Sequence, residues 1–564
     1  MIDFIPPFLA YIAGALLIPF LPKGHGRSAA LCIVPVVGAA LMWPLPMGSY
    51  GQIGVMGLEL TLLRIDKLSI IFGVIFSLAA FLAMLYAWHI RDTIQQSAAL
   101  LYSGSAIGAV FCGDLISLFF FWEGTAIASV FLIWARGTTG AYFTGMRYLV
   151  VQVASGVILI AGAGLFYTET GSITFDRMQL GSLATWLIFL AFGIKCAFPL
   201  LHNWLQDAYP AATVTGTVVL SAFTTKLAVY ALARSFPGTE LLIYIGAIMT
   251  LFPIFYAVIE NDLRRVLAYS LNNQLGFMVV GVGIGTELAL NGTAAHAFAH
   301  ILYKALLFMS VGAVLFRTGT AKGSELGGLY KTMPLTMIFC LVGAASISAF
   351  PLFSGFVSKA LILSAAGKAE YHIVWAILLF ASAGVFHHSG IKIPYFAFFA
   401  HDSGLRPKEA PWNMLLAMGL TAFVCIAIGC YPHPLYALLP YEVKYDPYTA
   451  THVINQLQLL MFSALAFTVL MRAGLYPPEL KSVNLDTDWL YRRAGPAVFA
   501  RVAQAVSGGW GGTTDFVRRC CDVMVAILYR AHGPDGRIAR VRPTGAMVIW
   551  IAILLLAVML VSFM

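Results

Sequence analysis

Sixteen apolar runs follow one another along the chain: 5–22, 29–47, 67–89, 97–112, 113–136, 143–168, 183–207, 210–234, 240–259, 263–284, 288–317, 332–366, 374–400, 411–430, 455–472 and 546–563. A membrane crossing takes about 20 apolar residues. Within lipid, only helices and closed barrels satisfy every backbone N–H and C=O. Runs of this length therefore predict an all-α polytopic membrane protein. Only 10% of the 564 residues are charged, against about 25% in soluble domains, so little of the chain can face water.

The run 332–366 is long for one crossing and contains Ala349-Phe350-Pro351 and Ser354-Gly355, so it reads as one helix broken in the middle. Loop charges then set an orientation. With the N-terminus outside, Lys23, Arg27, Arg91, Arg136, Arg264, Arg265, Arg317, Lys322, Lys331, Arg406 and Lys408 all fall on the inner side, and both termini are expected outside. Residues 51–66 alternate and suggest an external hairpin. The N-terminal run has no convincing cleavage site and reads as a retained first span.

One substantial polar insertion, 473–545, carries ten Lys/Arg; Arg518 and Arg530 bracket the apolar run Val523–Leu528, which predicts an amphipathic helix at the inner membrane surface. Gly508-Gly509, Gly511-Gly512 and Pro534 are expected to interrupt this segment. Four regions result: N-terminal helices with the hairpin (1–96), a first half (97–234), a second half (240–430) and C-terminal spans joined by the basic segment (455–564). The net charge of +9 reads as membrane anchoring rather than nucleic-acid binding. The eight cysteines read mostly as small buried hydrophobes. No metal-ligand set, Cys₄ cluster spacing or dinucleotide fingerprint is present, so neither metal nor cofactor is expected.

The chemistry lies in charges buried within these runs. Glu123, Lys195 and Lys226 each sit deep in an apolar stretch, where a charge costs on the order of 3 kcal/mol and ordinarily marks an ion or proton route. Pro199, four residues after Lys195, cannot donate to the lysine carbonyl, so the helix should open there. His202, two turns on, is expected on nearly the same face. Lys359 follows Pro351 and Ser354-Gly355 in a comparable arrangement, suggesting two related halves. His296, His300 and Lys304 form an i, i+4, i+8 stripe suited to proton relay. Lys392, with His387 and His388 nearby, is either another buried base or a side chain snorkelling to the interface.

At these residues the chain resembles the antiporter-like subunits shared by respiratory complex I, membrane-bound hydrogenases and Mrp-type cation/proton antiporters. The matches run in order: Phe121-Trp122-Glu123, Lys195 with Pro199 to Ala208, Lys226, Asp262 to Ser270, the His296/His300/Lys304 stripe, and Pro351 to Lys359. The resemblance implies a core of about fourteen helices with two inverted five-helix repeats and broken helices, here with extra C-terminal helices. It implies that Glu123 and Lys195 form the pair setting the central lysine's proton affinity, Lys226 the connecting base, His300 the relay and Lys359 the terminal lysine. Many relatives carry histidine where this chain has Gln274, which cannot hold a proton at neutral pH.

The segments around 200–210 and 390–399 look most like the D-type subunit of Mrp antiporters. The resemblance thus implies a multi-pass bacterial inner-membrane protein, partnered by other membrane subunits within the lipid bilayer. It would be a secondary transporter subunit moving protons, with Na⁺ crossing in a partner if at all. Two alternatives stand beside it: a proton-pumping subunit of a redox complex, whose redox centres would lie on other polypeptides, and a non-conducting scaffold.

Overall fold

Helix starts follow their capping residues. Asp66, Asp92, Asp114, Thr138, Ser182 and Asp262 each accept a backbone N–H from the first turn of the helix they precede, the interaction that makes Asp, Ser and Thr favourable there. The structure, a computed structural model, describes residues 4–43, 45–477, 479–480, 484–534, 536 and 543–563. Of the ten basic residues of 473–545, Lys481, Arg537, Arg540 and Arg542 lie outside the described residues. Each of the sixteen apolar runs coincides with helix. Among the described residues, eleven helices are long and apolar enough to cross a membrane, with three shorter apolar helices beside them. The chain is an all-α polytopic membrane protein, and its contacts divide it in two between Asn484 and Leu485.

The first unit is built around two buried elements. The helix Glu287–Thr318 is buried over most of its length, and the segment Val214–Ser235 from Thr215 onward. With 32 residues, the former is about 48 Å long, well beyond the hydrocarbon thickness of about 30 Å. Helices Glu240–Ile259 and Leu263–Ile284 meet backbone to backbone at Gly246 and Gly276: a β-carbon on either would lie within 2.7 Å of the other's carbonyl oxygen. The hairpin pairs strands Gly48–Val55 and Leu58–Ile65 in antiparallel register. Its two-residue turn, Met56-Gly57, takes positive φ at both positions, the geometry that matches strand twist. Asp114 ties it to the bundle by accepting from Thr61 N at 2.8 Å.

Two broken helices match the expectation from proline. One ends at Lys195 and resumes at Asn203; the other ends at Ile347 and resumes at Ser354. Their linkers share the tetrapeptide Ala-Phe-Pro-Leu, as residues 197–200 and 349–352. Backbone geometry repeats with it: φ is 61° and 70° at Ala197 and Leu200, and 57° and 74° at Ala349 and Leu352. Each phenylalanine N–H reaches back five residues at 3.0 Å, Phe198 to Gly193 O and Phe350 to Ala345 O. The two halves therefore carry a residue-level repeat. It places Ile347, not Lys359, at the position of Lys195, so the two lysines occupy different sides of equivalent breaks.

One expectation is corrected here, the interruption of the basic segment at its glycines, and two features of the backbone are added. The run 210–234 is not one continuous helix but bends at Phe223, between Val214–Ala222 and Thr224–Ser235. Near residue 390 the backbone is π-helical over Phe386–Ile391 and Tyr395–Phe399, a widening often associated with functional sites. In the second unit, one helix runs unbroken from Gly495 to His532, through Gly511-Gly512. An interior glycine costs about 1 kcal/mol relative to alanine; that weakens a helix without ending it. The helix stops just before Gly533-Pro534, and Thr544–Ser562 forms the last apolar helix.

Candidate functional site

Lys195 is the last residue of its helix, where the partial negative charge of the unpaired carbonyls favours a cation. Its ammonium donates to Trp122 O at 2.5 Å and Thr125 Oγ1 at 2.9 Å, and lies 4.4 Å from the Trp122 ring centroid. The indole is fixed in turn by Nε1–H donation to Ser155 Oγ at 2.9 Å. Glu123, next along the same helix, makes no ion pair within 4.0 Å with Lys195; the two interact through space. Its Oε1 has no hydrogen-bond partner and faces Gly156, where any β-carbon would collide with it. The carboxylate is thus held beside the lysine by a glycine notch in the helix Thr139–Thr170.

His202 departs from expectation. The helix has ended and restarted between it and Lys195, so the two do not share a helix face. His202 occupies the N-cap position of the second piece, and its ring centroid lies 4.6 Å from that of Phe252.

Lys226 follows the bend at Phe223. Its ammonium donates to Ser221 O at 2.5 Å, taking up a carbonyl that the bend leaves without its usual helical donor. The bend carries neither proline nor glycine. Tyr102 holds it from outside, accepting from Thr224 N at 3.0 Å and pairing with Thr224 Oγ1 at 2.6 Å.

Along Glu287–Thr318, His296, His300 and Lys304 are fully buried. His296 Nδ1 meets Ser358 Oγ at 3.1 Å, and its Nε2 lies 3.4 Å from Tyr303 Oη. Tyr303 donates to Gln274 Oε1 at 3.1 Å, and Gln274 donates to Asn273 Oδ1 at 2.6 Å. Neither nitrogen of His300 nor the ammonium of Lys304 has a protein partner. Buried polar groups of this kind are satisfied by water. His300 lies within the fields of Lys226, Lys304, His296 and Lys359, so it stands between the lysines of the two halves. Lys359 donates to Ile347 O at 2.8 Å, the last carbonyl before the second break, and lies 5.3 Å from the Phe277 ring centroid. The second break therefore presents a helix C-terminus to the Lys359 ammonium, whereas Lys195 closes the helix before the first and directs its ammonium to the helix Leu115–Trp134.

Lys392 does not snorkel. Its ammonium is fully buried, donating to Val258 O and Glu260 O at 2.7 Å each and Ala257 O at 3.3 Å, and pairing with Glu479 Oε1 at 3.0 Å. Glu479 is a residue that sequence reasoning missed; it lies in the polar segment after Arg472, where nothing in the local pattern marks it as buried. Arg264 was overlooked as well. Its buried guanidinium donates to the carbonyls of Tyr209, Pro210, Ala212 and Thr213 and to Thr217 Oγ1. It thereby pins the end of the Lys195 break to the start of the Lys226 segment. Among the described residues, no group of three or more His, Cys, Asp or Glu side chains could hold a metal ion.

The family model described as NADH:quinone oxidoreductase/Mrp antiporter, TM, matches residues 112–387. The D-type subunit of the Na⁺/H⁺ antiporter of Alkalihalophilus pseudofirmus is 30% identical over 66% of this chain and 82% of its own length. The chain belongs to this family. Component B of hydrogenase-4 from Escherichia coli is 26% identical over 80% of this chain and 74% of its own length. The Mrp complex structure from Dietzia sp. superimposes with a TM-score of 0.79 at 24% identity, covering 92% of this chain and 62% of that one. The fold is thus that of the antiporter-like subunits. The family match spans Glu123, Lys195, Lys226, the His296/His300/Lys304 stripe and Lys359 and stops at His387, short of Lys392.

Proposed function

We propose that the chain is a proton-translocating membrane subunit of a multisubunit monovalent cation/proton antiporter of the Mrp type. The observation carrying this reading is the file formed by half-buried Glu123 and the buried Lys195, Lys226, His300 with Lys304, and Lys359, with two helix breaks placed at its outer lysines. Protons enter the first half through water, reach Lys195, pass by Lys226 and His300 to Lys359, and leave on the opposite side. Movement of charge near each lysine changes its proton affinity, one pKa unit corresponding to about 1.36 kcal/mol. Glu123 is placed to bias Lys195 without holding it in a contact pair. His296 and Tyr303 order the path beside His300. Na⁺ crosses in a partner subunit of the same inner-membrane complex, and both termini of this chain lie outside.

A second reading, a proton-pumping subunit of a redox complex, is favoured by the long alignment with hydrogenase-4 component B. Na⁺-driven dissipation of a pH gradient in inverted vesicles carrying the whole complex separates the two. The antiporter reading expects a Na⁺ response in the wild type that Lys195→Ala and Glu123→Ala remove at normal assembly. Full antiport in well-assembled Lys195→Ala would overturn the path itself. Absence of any Na⁺ response in the wild type would leave the redox pump.

A further inference from the structure

Beyond Arg472 the chain turns back onto the first unit. Tyr476 packs against Phe467, its ring also 5.4 Å from that of His387 on the π-helical stretch. Glu479 then reaches Lys392, and Asn484 Nδ2 donates to Glu260 Oε2 at 3.2 Å. Glu260 is itself buried, accepting from Asn261 N at 3.0 Å and Asp262 N at 3.1 Å, with Arg265 3.9 Å away. The segment is thus fastened at three points over the end of the bundle bearing Arg264, Arg265 and Lys322.

We propose that Glu479 is the proton-transfer group linking Lys392 to water at this end, so that the strap after Arg472 supplies the last station of the second half-path. This inference rests on the function proposed above, with Lys392 receiving protons from the region of Lys359. His388 spans that interval: it lies within the fields of Lys304, Lys359 and Lys392, and its Nδ1 meets Ser389 Oγ at 2.9 Å.

The geometry fits a transfer better than a fixed anchor. Lys392 already has three carbonyl acceptors for its three N–H groups, and the Glu479 carboxylate 3.0 Å away is an ion-pair partner whose two oxygens accept no hydrogen bond. In the step, an N–H bond of the Lys392 ammonium breaks as an O–H bond forms on Glu479. The ion pair becomes a neutral amine and a carboxylic acid, and no other reactant is needed. The amine keeps two N–H donors for the carbonyls. Glu479 then releases the proton to water on the side of the strap. Burial holds the Glu479 carboxyl above the ordinary carboxylate range against the opposing pull of Lys392, and Glu260 adds to the rise. The other titratable groups facing the pair are Arg265, His387, His388 and Tyr476.

The test compares Glu479→Gln with wild type in the assembled complex, reading initial proton flux from pH 6 to pH 9. Glutamine keeps size and hydrogen bonding but cannot carry the proton. A transfer role predicts flux reduced by about a hundredfold, the usual scale for a lost acid–base group, and an altered pH profile. Wild-type flux and profile would overturn it and leave Glu479 as an anchor. Should Glu479→Gln fail to assemble, Glu479→Asp decides: a carboxyl withdrawn by one methylene should slow flux and partly keep the pH profile, whereas unchanged flux would overturn the proposal. Lys195→Ala measured in parallel separates the two levels. Lost flux there with unaffected Glu479→Gln refutes only the strap's role; unaffected flux in both refutes the path.

Discussion

Replacing Arg264 with methionine removes a buried cation that holds two broken segments together. Five acceptors lose a donor, yet they do not suffer equally. Tyr209 O retains Thr217 Oγ1, Pro210 O retains Arg136 Nη1 at 2.6 Å, and Thr213 O retains Thr217 N at 3.0 Å. Thr217 Oγ1 keeps its own donation to Tyr209 O. Only Ala212 O is left without another donor among the described contacts. One orphaned buried carbonyl costs about 1–3 kcal/mol, and each charge-assisted bond lost contributes roughly 1.5–3 kcal/mol gross. Removing the cation also relieves its desolvation, which offsets much of that gross figure. The net expectation is a destabilisation of about 2–4 kcal/mol. Thermal unfolding of the detergent-solubilised protein should register it, with faster amide exchange concentrated in 203–217. Arg264→Lys, which cannot reach all five acceptors at once, should fall between. A methionine variant with wild-type melting and unchanged exchange in 203–217 would refute the account of Arg264 as the pin between the breaks.

Gly156→Ala should impair proton movement while leaving assembly intact, because the added carbon drives the Glu123 carboxylate from its notch; vesicle flux at matched expression measures it, and normal flux would show that Glu123 has other room. Tyr303→Phe breaks the link from His296 to Gln274 without changing any charge, so flux should fall by a smaller factor than in His300→Ala, a ranking that the same vesicle assay checks.

Much of this arrangement could be read from residue order. Pro199 and Pro351 mark both principal breaks because a missing N–H and a ring clash act within one turn. Asp66, Asp114 and Asp262 mark helix starts for an equally local reason. The hairpin shows through alternation. The bend at Phe223 was hidden: it depends on Tyr102, on a separate helix, and on Lys226 capping the freed carbonyl. Glu479 was hidden for a related reason, since its burial comes from the chain folding back onto Lys392. The surroundings of Lys392 were equally hidden, because position near a span's end does not reveal three converging carbonyls. The paired Ala-Phe-Pro-Leu linkers stand in plain view in the sequence, but the lysines near them are out of register and mask the repeat.

Those linkers use alanine and leucine, not glycine, where φ is positive. A side chain in that region costs on the order of 1–3 kcal/mol and persists only when its surroundings over-determine it. Glycine would relax the corner and make it pliable. What the chain has instead, twice, is a rigid elbow held by the same set of backbone bonds. Elbows of that kind are poor hinges, so the path proposed above requires the lysines beside them to act as fixed stations, with protons, water and side-chain tips moving rather than swinging helices.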